Sequence, residues 1–406
     1  MKACGLVVEY NPLHNGHIYH IQQAKKQTNA DCMIAVMSGP FLQRGEPAIV
    51  DKFSRTKMAL AAGVDLVIEL PYRYAVQSSE LFAQGAVSIL NEIGVKAICF
   101  GSESGNINDF ITSYHRYKEK EGEYTEKLKH FMNKGDAFPV ASKKAYDEVD
   151  LKSSLDLSQP NNILGFSYVR TILDHQFPIE PMTIQRLNSH YHDKQLHTEI
   201  TSATSIRKHL IEEENISHQV RLTMPKATIN QLILYQQQTG IWHDWEQYFP
   251  ILHYRIMTMS PSELCAIAGV DEGLENRIKQ AARHATSFQH LMELIKTKRY
   301  TWTRLQRMFV HILTNTTKES IHQLDTKVPY IRILGFTNTG RAYLSKYKKT
   351  FSVPIVTKLE RQLHPMLYMD EKASYAYYAI VSSKINQQLR KQELMPPIFS
   401  KIQPNQ

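Results

Sequence analysis

Four short runs of apolar and β-branched residues punctuate the first quarter of the chain: Leu6-Val7-Val8, Cys32-Met33-Ile34-Ala35-Val36, Leu66-Val67-Ile68-Glu69-Leu70 and Ala97-Ile98-Cys99-Phe100. Each stops at a polar or turn-forming residue, and between them apolar positions return at helical spacing over 17–26, 51–62 and 78–93. Strands that show no polar face are buried on both sides, and their alternation with amphipathic helices predicts βαβ units in a parallel sheet covered by helices on both faces. A fifth run, Met182-Thr183-Ile184-Gln185-Arg186-Leu187, is expected to close that sheet.

Between the fourth and fifth runs, residues 106–160 are rich in Lys, Glu and Tyr at helical spacing and predict a helical insertion. It returns through Ser158-Gln159-Pro160-Asn161-Asn162, a loop with turn and cap chemistry. A hydroxyl-rich run, Thr201-Ser202-Ala203-Thr204-Ser205-Ile206-Arg207-Lys208, leads into a later helix, and the first domain is expected over 1–220. The remainder, 221–406, reads as consecutive helices with short strand candidates at 330–334 and 353–356, and the tail beyond Pro396 reads as loose.

A chain of 406 residues is long enough for two domains. Its 42% hydrophobic and 21% charged residues are those of a soluble globular protein, and no apolar stretch is long enough to span a bilayer. The N-terminus reads as a first strand and not as a signal peptide, which points to the cytoplasm. Cys4, Cys32, Cys99 and Cys265 are far apart, three of them in or beside strand runs, and read as small buried hydrophobes, with no metal-ligand spacing. The net charge of +9 suggests a polyanionic partner.

The chemistry concentrates at the end of the first strand, in GLVVEYNPLHNGHIYH from Gly5 to His20. As a metal site it is poor, because His14 and His17 have no further ligand beyond Glu9 to complete a shell. As a phosphate site it is apt. A parallel strand that ends in a glycine-containing turn and opens a helix aims backbone N–H groups and the positive helix end at one point. Histidines there add donors that follow charge as it develops on phosphoryl oxygens.

The run Asn11-Pro12-Leu13-His14-Asn15-Gly16-His17 resembles the first signature of the nucleotidyltransferase superfamily, and Ser202-Ala203-Thr204-Ser205-Ile206-Arg207 resembles its second. A closer resemblance is to the bacterial tRNA(Met) cytidine acetate ligases. It rests on Gly5 to His17, on Met37-Ser38-Gly39-Pro40-Phe41-Leu42-Gln43-Arg44-Gly45-Glu46-Pro47-Ala48, and on Asp65-Leu66-Val67-Ile68-Glu69-Leu70-Pro71. Phe100-Gly101-Ser102-Glu103, Pro160-Asn161-Asn162-Ile163-Leu164-Gly165 and Tyr191-His192-Asp193 add to it. Where that family carries a glycine-containing run before Tyr-His-Asp, this chain has Asn188-Ser189-His190.

The resemblance implies an α/β fold with a Rossmann-like doubly wound parallel sheet of nucleotidyltransferase type, followed by a mainly helical, basic, tRNA-binding domain. It implies activation of acetate by ATP to acetyl-adenylate and transfer of the acetyl group to N4 of the wobble cytidine of elongator tRNA(Met). His14, His17, Ser205 and Arg207 are the implied catalytic residues. The implied ATP contacts are Val7, Val8, Glu9, Tyr10, Asn11, Pro12, Leu13, His14, Asn15, Gly16, His17 and His20, with Gly101, Asn162, Arg186 and Leu187. Magnesium is expected to be carried by ATP. Elongator tRNA(Met), acetate and ATP are the expected partners, with neither membrane nor DNA.

Gln43 and Arg44, with Lys52 and Arg55 on the next helix, are candidates to hold a carboxylate or the RNA. Further on, Lys296, Lys298, Arg299, Arg304 and Arg307 lie among Phe288, Tyr300 and Trp302. Cations that hold phosphates and rings that stack on bases suit RNA, and Arg299, Trp302, Arg304 and Arg307 are the candidate contacts. A second cluster combines Lys346, Lys348 and Lys349 with Tyr343 and Tyr347. The competing reading is a small-molecule adenylyltransferase that forms a dinucleotide cofactor; it leaves the basic second half without a task.

Overall fold

The computed structural model describes residues 1–151, 155–186, 202–213, 216–271, 273–324, 327–359 and 364–401. All five expected strands form: β1 (Ala3–Val8), β2 (Cys32–Ser38), β3 (Leu66–Leu70), β4 (Ala97–Ser102) and β5 (Glu180–Gln185). They pair in parallel in the order β5-β4-β1-β2-β3. β2 and β3 are buried along their whole length, as their unbroken apolar runs require. Helices α1 (Asn15–Thr28) and α2 (Lys52–Ala61) fall where the periodicity put them. Cys4, Cys32 and Cys99 are buried free thiols, and Cys265 is exposed.

The insertion is helical, over Ile107–Glu119, Glu121–Asn133 and Phe138–Glu148. It carries a small core of its own, Tyr117, Val149 and Leu151. From Lys226 to Leu313 the chain is helical, and both later strand candidates form, as β6 (Ile331–Phe336) and β7 (Ile355–Val356).

These late strands extend the first sheet. β6 pairs antiparallel with β3, and β7 and β8 (Ile398–Phe399) pair with β6. Residue 220 thus marks a change in sequence character, while the sheet and a continuous apolar core run across it.

The β3–β6 junction is ionic. Lys52 lies 2.7 Å from Glu69 and 2.9 Å from Glu393, and Arg332 pairs with the same two carboxylates. All four side chains are buried. Arg55 is also buried, its guanidinium donating to the carbonyls of Glu9 (2.8 Å), Ser38 (3.0 Å) and Gly39. Lys52 and Arg55 therefore lock the loops behind the sheet edge. That corrects the expectation that they meet a carboxylate or RNA: their charges are already neutralised or hydrogen-bonded inside the fold.

Candidate active site

At the C-terminal end of β1 the chain turns sharply. Tyr10 takes a left-handed backbone (φ 49°), the Asn11-Pro12 peptide is cis, and His14 caps α1. The cap is built from the two histidines of the motif. His14 Nδ1 accepts the Gly16 N–H at 3.0 Å, and His17 Nδ1 accepts the His14 N–H at 3.2 Å. Reciprocal capping of this kind satisfies two otherwise unpaired backbone donors. It also fixes the tautomer: with both Nδ1 atoms accepting, a neutral ring carries its proton on Nε2, the atom left to meet a ligand.

The rings are neutral. Burial, with Arg186 nearby, holds His14 and His20 down at about 4. Burial and then the neighbouring His14, His20 and Arg186 hold His17 well below its ordinary value. The rings of His14 and His17 lie 3.9 Å apart, and Tyr10 meets His17 edge-on at 5.1 Å. His20 Nε2 is buried with no hydrogen-bond partner.

A cavity of about 1920 Å³ opens over this turn. Val7, Val8, Glu9, Tyr10, Asn11, His14, Gly16, His17, His20, Gly101, Arg186 and Arg207 all line it. Arg207 donates to the Asn11 carbonyl at 2.9 Å and to Glu46 at 2.8 Å, so the second signature is stapled onto the first. Glu9 accepts the Gln43 N–H at 2.8 Å, and burial raises its carboxyl. A Cβ on Gly101 would stand 3.2 Å from Arg186 Cγ, so any side chain there would crowd the cavity wall.

Other expected residues stand behind the wall. Pro12, Leu13 and Asn15 do not line the cavity: Leu13 is core, and Asn15 Nδ2 donates to the Leu222 carbonyl at 2.9 Å. Asn162 is buried and fastens the end of β4, accepting from the N–H groups of Glu103 and Ser104 at 3.1 Å and donating to the Asp156 carbonyl. Its neighbour Asn161 reaches the cavity and bonds Arg186 at 3.3 Å. Helical spacing does not separate the two: 161 shares its face with the buried positions 165, 168 and 172 of the Pro160–Asp174 helix, and only the contacts distinguish Asn161 from Asn162.

Ser205 likewise is exposed and bonds Ser202, while Ser202, Ala203, Thr204 and Arg207 line the cavity. On the Ala203–Glu213 helix, positions 203 and 207 share a face that 205 opposes. Leu187 and the run 188–193 lie outside the described residues.

Arg299, Arg304 and Arg307 line the same cavity from the far half of the chain; Trp302 packs against the core instead. Burial, and Arg304 beside it, lower Arg307 only to about 10, so it stays charged at neutral pH. Its guanidinium donates to the Gln43 carbonyl at 3.3 Å. Gly45 permits this docking: at φ +79°, a Cβ there would come within 2.3 Å of the Arg307 backbone nitrogen.

The rings expected to stack are unavailable. Phe288 lies flat on Trp245 at 4.4 Å, and Tyr300 is buried under Arg304. Lys346, Lys348 and Lys349 do not line the cavity, and Tyr343 is buried, donating to the Ile93 carbonyl.

Comparison with known proteins agrees with this geometry. The sequence model of the HIGH nucleotidyl transferases matches residues 1–393. The tRNA(Met) cytidine acetate ligase of Oceanobacillus iheyensis is 51% identical over 400 residues, covering 98% of this chain and 100% of the relative. That of Bacillus subtilis is 49% identical over 399 residues, covering 97% and 96%.

This chain belongs to the tRNA(Met) cytidine acetate ligase family.

Solved structures of a ligase relative from Thermotoga maritima, TmcAL, superpose along the whole chain. The apo form has a TM-score of 0.88 at 33% identity, covering 99% of this chain and 100% of that one. A form bound with alpha-thio ATP has a TM-score of 0.87 at 34% identity, with the same coverage. Like other ligases of the family, this chain is an ATP-dependent enzyme with a nucleotidyl transferase fold.

Proposed function

We propose that this ligase activates acetate with ATP and acetylates N4 of the wobble cytidine of elongator tRNA(Met). The supporting observation is one continuous cavity that has the two-histidine turn of α1 on one wall and Arg299, Arg304 and Arg307 on another. At about 1920 Å³ it exceeds the roughly 300–1,000 Å³ of an ordinary small-molecule site, leaving room for an RNA nucleotide beside ATP.

ATP enters with its phosphates at the start of α1, where the positive helix end and the Nε2–H groups of His14 and His17 converge. An oxygen of acetate attacks the α-phosphorus, and the bond to pyrophosphate breaks. Acetate is an anion attacking an anion, so positioned donors are the main aid the protein gives. Arg186 and Arg207, both on the cavity wall, supply fixed positive charge, that of Arg207 partly offset by Glu46. The cytidine amine then attacks the acetyl carbonyl, losing a proton as AMP leaves. Magnesium is taken to arrive on the phosphates of ATP.

No helix among the described residues is long and apolar enough to cross a membrane; the substrates imply the cytoplasm. The dinucleotide-forming alternative leaves the arginine wall idle. Incubation with radiolabelled acetate, ATP and bulk tRNA, followed by nucleoside analysis, decides between them. Label in acetylated cytidine is the expected result, and a dinucleotide product without labelled RNA would reverse the choice.

A further inference from the structure

The cavity has a third wall, contributed by the helical insertion. Phe138, Pro139 and Val140 open the Phe138–Glu148 helix as three consecutive exposed apolar residues, with Phe138 56% and Val140 47% accessible. Such a run is a liability in a soluble protein unless something uses it. The helix does not need these side chains for its own packing, which runs through Ala141 and Ala145. Of the Phe and Tyr side chains described on the cavity wall, Phe138 is the most exposed; Tyr19, Tyr124, Tyr146 and Phe166 are half-buried, and Tyr10, Phe82, Phe100, Tyr117 and Tyr168 are buried.

Cations stand beside it. Lys143 and Lys144 are exposed on the next turn of the helix and line the same cavity. Lys144 is tied to Asp136 at 2.7 Å, and Lys143 is the one with reach toward an incoming phosphate. Asp147 and Asp156 share this wall and temper its field. The wall therefore offers a ring face first and charge second.

We propose that Phe138 is a stacking platform for an unpaired base of the tRNA loop, with Lys143 on the adjoining phosphate. The arginine wall of the same cavity can hold a backbone, but its Phe288 and Tyr300 are buried and Trp302 packs against the core, so a base splayed out into the cavity finds its π-face partner on the insertion. This rests on the reading of the cavity as an RNA cleft, but it names a different surface from the arginines.

The test uses the full-length protein and measures tRNA binding at fixed salt alongside acetate-dependent ATP–pyrophosphate exchange without tRNA. Phe138→Ala should weaken tRNA binding about ten-fold, with the exchange rate and the KM for ATP unchanged. Phe138→Trp should restore affinity and Phe138→Leu should not, because stacking needs a ring. Lys143→Glu should lower the slope of log affinity against log salt by about 0.7. Unchanged tRNA affinity in Phe138→Ala, full rescue by Leu, or a raised KM for ATP would each overturn the proposal, the last by showing that adenine occupies the platform. If wild-type enzyme bound tRNA and responded to these variants but labelled no cytidine, the acetylation reading would fail and the platform would stand.

Discussion

The two principal walls of the cavity meet their ligands by opposite physics. On the nucleotide wall, imidazoles held neutral by burial and locked by a reciprocal cap present Nε2–H donors at a helix N-terminus. On the far wall, guanidiniums that cannot lose their charge at neutral pH line an open surface. The first arrangement recognises a small ligand through geometry and is little screened by salt. The second recognises a polyanion through charge and is strongly screened. A third set of cations, Lys52, Arg55 and Arg332, lies behind the first wall and meets no ligand at all. Residue type alone does not separate these roles; burial and partners do.

The largest effect is expected from that hidden set. Lys52→Met leaves Glu69 and Glu393 sharing Arg332 alone and should cost roughly 3–5 kcal/mol of stability, read as a fall in the urea midpoint. A stability change under about 1 kcal/mol would mean that the site is better hydrated than its burial indicates, and would put Lys52 back among ligand-binding candidates.

Next is the neutral wall. His17→Ala removes a Nε2–H donor and should lower acetate-dependent pyrophosphate release by about 10²–10³-fold, with far-ultraviolet circular dichroism unchanged. Unchanged release would remove His17 from the site.

Acid should affect the two walls differently. His14 and His20 are held at about 4, and the buried His243 and His311 at about 3, against 6.5 for a free ring. The folded values are depressed, so the neutral rings contribute their full stability above pH 6.5. That contribution is lost as pH falls from 6.5 toward the folded values, because the unfolded chain takes up protons first. A depression from 6.5 to about 4 corresponds to about 3 kcal/mol for such a ring. Urea midpoints at pH 7, 5.5 and 4.5 should fall steadily, whereas arginine-dependent tRNA binding should have no histidine-like inflection. A flat stability profile would break the contrast.

The smallest effect belongs to the charged wall. Arg304→Glu should weaken tRNA binding about ten-fold at moderate salt and reduce the salt slope by about one. A loss of tRNA-independent exchange as large as the loss of affinity would mean that the arginine wall shapes the nucleotide site.

Much of this was readable from residue order because the signals are local. The strand runs, the turn between β1 and α1 and the phosphate-cradle chemistry follow from side chains within about ten residues of one another. The roles of Asn161 and Asn162 are not legible in this way: both lie on or beside the buried face of their helix, and only the contacts make Asn162 a fastener and bring Asn161 to the cavity. What local pattern could not supply was partners. Lys52 and Arg55 look as solvated in sequence as Arg299 and Arg304; Lys52 is enclosed with Glu393 from near the far end of the chain, and Arg55 is taken up by the carbonyls of Glu9, Ser38 and Gly39. Phe288 and Tyr300 look as ready to stack as Phe138, and only packing shows which ring keeps a bare face.

The sequence by itself determined the parallel α/β core, the histidine turn and its suitability for phosphate, since backbone hydrogen bonding and helix capping act over a few residues. The tertiary structure decided which cations face the cavity, which are enclosed, and that the insertion, the β1 turn and the C-terminal arginines share a single space. Burial and charge pairing depend on what arrives from distant parts of the chain, and only the folded arrangement brings those parts together.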